Sequence, residues 1–138
     1  MNISDDIIRE LIEKAVDARE HAYAPYSEFL VGSAALGSDG HIYTGCNIEN
    51  VSYSATNCAE RTAIFQGVSA GCLSFEAVAI VGARKDEKPG FCYPCGVCRQ
   101  VLAEFSDVEK LKIIIAKSTS EYKIKTLDEL MPFAFAEY

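Results

Sequence analysis

From Ser4 onward, apolar residues recur at Ile7, Ile8, Leu11, Ile12, Ala15, Val16 and Ala22, the spacing of an amphipathic helix. Ser4 suits its N-cap, and Pro25 is the first residue that must stop it, which leaves His21 as a residue of the helix end. Phe29–Leu36 then reads as a strand, Ser38-Asp39-Gly40 as a turn, and His41–Cys46 as the returning strand of a hairpin, with His41 solvated beside the turn. Asn47–Thr56 is polar and reads as loop. Asn57 is a good N-cap for a helix from Cys58 to about Val68, whose Ala59, Ala63, Ile64, Phe65 and Val68, with Ala70 just beyond, can face a sheet. Phe75–Gly82 is nearly unbroken apolar sequence, as in a strand covered on both faces. Arg84–Gly90 is a charged loop. A short helix starts at Pro94 and continues through Val101, Leu102 and Phe105. Leu111–Ala116 is a second buried-type strand, and the more polar Tyr122–Lys125 suits a sheet edge. Thr126-Leu127-Asp128-Glu129 has the capping-box pattern of a last helix ended by Pro132, and Phe133, Phe135 and Tyr138 form an aromatic tail. The order α-β-β-α-β-α-β-β-α predicts an α/β fold: one domain over residues 1–138, three-layer α/β/α, with a mixed sheet of about five strands.

Composition narrows the partners. The chain has 138 residues, of which 49% are hydrophobic and 24% charged, enough for a single sizeable core. Its net charge of −7 argues against a protein that tracks nucleic-acid backbones and favours a neutral or cationic small molecule. Asp5, Asp6, Arg9 and Glu10 interrupt the stretch where a secretory signal would need an apolar run, and no segment approaches a membrane span. The expected setting is cytoplasmic. There, six cysteines point to metal ligation ahead of disulfides.

Cys95 and Cys98 form a C-x-x-C pair at a helix start, a spacing that lets two thiolates grip one tetrahedral ion. Cys58, far upstream, offers a third ligand from a separate element, and Glu60 follows two residues later. Three protein ligands would leave Zn2+ one open position for water, the mark of a catalytic site. Helix N-termini also stabilise thiolates. Three thiolates on a divalent ion leave one excess negative charge, which Arg61 and Arg99 could offset by hydrogen bonds to the sulfurs; the alternative for both is a solvated helix face. Taken alone, Glu60 is equally an acidic residue favoured by a helix dipole, and only its combination with both thiol sets tips it toward acid–base work. Cys46 and Cys72 read as small buried hydrophobes. Cys92 is either a stray thiol or a fourth ligand that closes the site, as in a structural, non-catalytic zinc module.

These residues together resemble the cytidine deaminase family, in its small homotetrameric type. The resemblance runs through Ala24-Pro25-Tyr26-Ser27, Phe29, Val31-Gly32, Gly45-Cys46-Asn47-Ile48-Glu49-Asn50, Tyr53-Ser54, Cys58-Ala59-Glu60-Arg61-Thr62-Ala63, Pro94-Cys95-Gly96-Val97-Cys98-Arg99-Gln100, Leu130-Met131-Pro132 and Phe135. It implies that Cys58, Cys95 and Cys98 hold zinc and that Glu60 shuttles protons during hydrolysis of cytidine, and of deoxycytidine, to uridine and ammonia in pyrimidine salvage. It also implies that Asn47 and Glu49 bind the ribose hydroxyls, that Phe29 and Ala59 border the base, and that Phe135 closes over the site of a neighbouring subunit. The chain departs from the family at Tyr93, where serine is usual, and in the loop that carries Cys92. The alternatives are a deaminase of the blasticidin S or guanine type and a non-catalytic zinc-binding module. Asn47-Ile48-Glu49-Asn50 argues for a nucleoside.

Overall fold

The computed structural model describes residues 3–138. Helices α1 (Asp5–Arg19), α2 (Ala59–Ser69), α3 (Gly96–Glu104) and α4 (Leu127–Leu130) surround strands β1 (Phe29–Gly37), β2 (Ile42–Cys46), β3 (Phe75–Arg84), β4 (Lys112–Ser118) and β5 (Glu121–Thr126), with a 3-10 turn at Tyr53–Ala55. The strands form one five-stranded sheet in the order β2-β1-β3-β4-β5. β3 and β4 are parallel, joined through α3; the other neighbours are antiparallel. The sheet is mixed and covered on both sides, as the alternation of elements predicts. α1 packs Ile8, Leu11, Ile12 and Ala15 on one face, against Ala34, Ala79, Val81 and Ile114. α2 and α3 pack Ala63, Ile64 and Leu102 on the other, against Ala35, Val78, Ile80 and Ile113. The apolar runs of β3 and β4 are buried because both of their faces meet helices.

Small residues set how closely the layers approach. A Cβ on Gly32 would stand 1.9 Å from the Ala15 carbonyl oxygen, so α1 rests on β1 backbone to backbone. A Cβ on Gly45 would stand 2.4 Å from the Ala63 nitrogen and 2.7 Å from the Ala59 oxygen, so the first turns of α2 lie directly on β2.

Several local expectations hold, and others yield to distant contacts. The Ser4 hydroxyl caps α1 at the Ile7 amide (3.3 Å), and Thr126 and Glu129 close a reciprocal capping box. α1, however, stops at Arg19, before His21, Ala22 and Pro25. Tyr23 is drawn into a bridge with Ile48, and its amide donates to Asn47 O at 3.0 Å, so the chain must leave the helix earlier than Pro25 requires. The Arg19 side chain then donates to the carbonyls of Leu30 (2.8 Å) and Ala83 (3.0 Å) at the ends of β1 and β3. The N-cap of α2 is Cys58 and not Asn57, because Asn57 pairs through its backbone with Ile48 and stays extended. α3 likewise begins at Gly96 with Cys95 as N-cap, two residues later than a start at Pro94. Phe65 and Ala70 turn to solvent, since the sheet-facing stripe of α2 is filled by Ala59, Ala63, Ile64 and Gly67. No helix among the described residues is long and apolar enough to cross a membrane.

Candidate active site

The N-termini of α2 and α3 point at the same place, and this brings the two cysteine motifs together. The Sγ atoms of Cys58, Cys95 and Cys98 all lie within 4.8 Å of one another. Two sulfurs sharing one tetrahedral zinc at about 2.3 Å each stand about 3.8 Å apart. The Cys58–Cys95 separation is 3.7 Å, which matches that spacing, and the third sulfur lies near enough for the set to share such an ion. Cys95 Sγ also accepts a hydrogen bond from the Cys98 amide (3.4 Å), the capping bond of α3. Cys92 stands outside this sulfur cluster; its thiol lies in the wall of the adjoining cavity, where burial above all pushes its pKa up to about 12. Neither histidine enters the cluster, and His41 instead stands 3.4 Å from Asp39.

Arg61 reaches back along α2 and donates to two of the sulfurs, Nε to Cys98 at 3.4 Å and an Nη to Cys58 at 3.2 Å. Arg99 does not. Its Nε donates to the Pro94 carbonyl at 2.9 Å and its Nη1 to the Leu130 carbonyl, so it ties the start of α3 to the end of α4. The physical reason lies in helical geometry: one residue past Cys98, the side chain of Arg99 projects about 100° around the helix from the sulfur. The cluster is electrically asymmetric. Hydrogen bonding with Cys98, aided by Arg61 and Cys95 against the cost of burial, draws the Cys58 thiol down to about 5. Cys98 moves the other way, far above the ordinary thiol range, because the Cys58 sulfur beside it and then burial hold its proton.

Glu60 is 4% exposed, one of the two buried polar or charged side chains among the described residues. Burial first, and then the charge of Cys58, push its carboxyl up to about 7. It borders a cavity of about 300 Å³ whose lining also includes Phe29, Val31, Asn47, Glu49, Cys58, Ala59, Cys92, Tyr93 and Cys95. The volume is at the lower end of small-ligand sites.

The polar end of this cavity is rigidly built. Asn47 Oδ1 accepts from the Val31 amide (2.9 Å) and its Nδ2 donates to the Phe29 carbonyl (2.8 Å), locking the side chain onto β1. One amide hydrogen and one oxygen lone pair remain for a ligand. Glu49 Oε1 accepts from the amides of Tyr26 (2.9 Å) and Ser27 (3.1 Å), and its other oxygen from the Ser27 hydroxyl. Desolvation works against the charge, but these bonds prevail and hold the carboxyl below its usual value. Ser27 is the residue that residue-by-residue reasoning missed. Its signal was present in the Pro-Tyr-Ser turn, which aims successive backbone amides at one acceptor. Phe135 lies outside the cavity of its own chain. It is 65% exposed; its carbonyl accepts from Gln100 Nε2 (2.8 Å) and its ring meets Tyr138 edge to face, while Phe133 and Tyr138 are more exposed still.

A buried carboxyl beside three sulfurs that can share one ion, at the floor of a small cavity, is the arrangement of a metal-assisted hydrolytic centre. The likeness to known proteins is more specific. Residues 6–115 match the family described as the cytidine and deoxycytidylate deaminase zinc-binding region. A cytidine deaminase of Sporosarcina psychrophila is 46% identical over 130 residues, covering 94% of this chain and 92% of its own. One from Halalkalibacterium halodurans is 46% identical over 91% of each chain. Among solved structures, cytidine deaminase from Burkholderia pseudomallei superposes with a TM-score of 0.82 at 44% identity, over 91% of this chain and 97% of that one. The enzyme from Mycobacterium tuberculosis gives 0.80 at 37% identity over 99% and 100%. The chain belongs to the cytidine and deoxycytidylate deaminase family.

Proposed function

We infer that this protein is a zinc-dependent enzyme that hydrolyses cytidine, and deoxycytidine, to uridine and ammonia. The observation that carries this reading is the position of Glu60, buried beside three convergent sulfurs and facing a cavity whose other end is polar. Cys58, Cys95 and Cys98 would hold the zinc. When bound, the ion lowers the pKa of a water and acts as a Lewis acid toward it.

The remaining steps belong to the chain's own side chains. Glu60 accepts the proton of the attacking water as oxygen adds to C4 of the base. It delivers that proton to N3, then takes the second from the new C4 hydroxyl and passes it to the exocyclic amine, which leaves as ammonia as C4 becomes a carbonyl. Burial keeps bulk water from competing for these protons. Arg61 offsets the excess thiolate charge through its two bonds to sulfur. Phe29 flanks the base, Ala59 borders it at the start of α2, and Asn47 and Glu49 offer one amide and one carboxylate to the two ribose hydroxyls. Arg99 acts on position alone, by holding the start of α3.

The reading extends to assembly. Phe133, Phe135 and Tyr138 are three exposed aromatics, the last two edge to face, that a lone acidic chain has reason to cover. In a homotetramer, Phe135 would close over the base in a neighbouring subunit's site. The proposed setting is cytoplasmic and the role pyrimidine salvage, in keeping with six cysteines that all stand as free thiols.

Ammonia release from purified protein offered cytidine, deoxycytidine, cytosine, cytidine 5′-monophosphate, guanine and blasticidin S tests the assignment. Turnover of the two nucleosides above all others is expected. Release from none of them, with zinc present, would leave a non-catalytic zinc module.

A further inference from the structure

Cys92 and Tyr93 form one wall of the cavity, and that wall is held by groups from the far edge of the sheet. After β3 the chain passes through an exposed charged loop, returns at Gly90 in a bridge to Gly82, and then enters the wall. Phe91 packs partly buried against the core. Two ammonium groups stand over its ring, Lys117 Nζ at 4.5 Å from the centroid and Lys123 Nζ at 4.2 Å. Lys123 also stands 6.0 Å from the Tyr93 centroid and donates to the Tyr93 hydroxyl at 3.4 Å. These distances fall within the range in which an aromatic face attracts a cation. The two lysines are not equivalent. Lys117 shares its charge with Glu121 at 3.5 Å, whereas Lys123 pairs with no carboxylate among the described residues. Lys123 is therefore the cation that grips both aromatic residues of the wall.

The grip reaches the ligand space through Cys92, which lies between Phe91 and Tyr93. A Cβ built on Gly82 would find Cys92 Sγ at 3.0 Å, Phe29 Cε1 at 3.1 Å and Val31 Cγ2 at 3.1 Å. Cys92 and Phe29 thus converge over the same bare patch of β3, and both line the cavity. Displacing the Phe91–Tyr93 segment would loosen Cys92 and with it the packing that orients Phe29.

We propose that Lys123 is a positioning residue that clamps Phe91 and Tyr93, and that through Cys92 it fixes the cavity wall and the Phe29 ring for the nucleoside. The inference rests on the deaminase reading for its substrate. Lys123 touches neither the sulfur cluster nor Glu60, so its contribution falls on substrate binding and not on proton transfer.

The test uses Lys123→Met, which keeps the side-chain length without the charge, Lys123→Arg, which keeps a cation over the rings, and Phe91→Leu. All are measured as zinc-loaded protein in its native assembly. Lys123→Met is expected to raise KM for cytidine about two- to fivefold, the factor set by a partly exposed cation–π contact, with kcat and zinc content unchanged. Lys123→Arg should restore KM, and Phe91→Leu in the Lys123→Met background should add little. A second arm needs no turnover: trypsin cleavage after Arg84 or Lys85, both exposed, read by mass spectrometry, should quicken in Lys123→Met and not in Lys123→Arg. An unchanged KM and cleavage rate in Lys123→Met would overturn the clamp, as would Lys123→Arg behaving like Lys123→Met. If the wild type does not act on cytidine, the deaminase reading fails instead, and the cleavage arm still decides the clamp.

Discussion

Gly45→Ala links the packing of the fold to the chemistry of the site. The added methyl would meet the Ala63 nitrogen at 2.4 Å, the Ala59 oxygen at 2.7 Å and Thr62 Cβ at 2.7 Å. Two of these three neighbours are backbone atoms, which no rotamer change can move. Carbon contacts are comfortable at about 3.5–4.0 Å, so β2 and the first turns of α2 must part by about 1 Å. Overpacking of this kind costs about 1–3 kcal/mol, and a clash against backbone belongs at the upper end. The same displacement acts on Cys58, Ala59 and Glu60, which precede or occupy the first turn of α2. A misplacement of about 1 Å at a reacting group can lower turnover by about 100-fold. Urea unfolding of the zinc-loaded variant should therefore show a loss of about 3 kcal/mol, and kcat for cytidine should fall by about two orders of magnitude. Gly90→Ala supplies the control, since its Cβ would meet nothing within 4 Å. It should leave turnover unchanged and stability equal or up to about 1 kcal/mol higher, through a less flexible unfolded chain. Gly45→Ala with wild-type stability and turnover would refute the claim that β2 and α2 meet backbone to backbone at the site.

Other perturbations separate the roles of the site residues. Glu60→Gln should keep zinc and fold while turnover falls by about 10²–10⁴-fold, measured by ammonia release, because an amide cannot accept and return the proton. In metal-stripped protein the sign of its stability effect follows from the carboxyl being raised to about 7. The protonated form is favoured in the folded chain, so the wild type should match Glu60→Gln below about pH 4.5 and lose about 3 kcal/mol relative to it as pH rises through 7, as read by urea midpoints. Arg61→Gln removes both bonds to sulfur and should lower zinc affinity or turnover by about 10–100-fold; chelator competition and an activity assay check it. Zinc added to stripped protein in weak buffer should release at least one proton per chain, since Cys98 retains its own until an ion replaces it. Co-expressed Phe135→Ala and Glu60→Ala chains should form mixed oligomers more active than the sum of their parents, if Phe135 completes a neighbour's site. Merely additive activity in oligomers confirmed by mass spectrometry would confine Phe135 to its own chain.

Local sequence determined whatever depends on neighbours along the chain. The Ser4 cap, the Thr126–Glu129 capping box, the hairpin turn at Ser38-Asp39-Gly40 and the C-x-x-C pair at the start of α3 are each encoded within a few residues, and each stands where expected. The apolar runs at Phe75 and Leu111 likewise announced strands covered on both faces, and C-A-E with P-C-x-x-C announced the three sulfurs and Glu60. The tertiary structure decided whatever required two distant segments to meet. Pairing of Tyr23 with Ile48 ended α1 early, and pairing of Asn57 with Ile48 passed the capping position of α2 to Cys58. The rotation of α3 separated Cys98 from Arg99 and sent the arginine to two carbonyls, while Arg61 reached both sulfurs. Cys92 reads as a possible ligand on composition alone, yet the path of its loop sets the thiol over Gly82, on the patch of β3 that Phe29 and Val31 also cover. Lys123 has no local signal: on an edge strand it reads as an ordinary solvated charge. Only the approach of Phe91 and Tyr93, some thirty residues away in the chain, gives that ammonium two aromatic faces to hold.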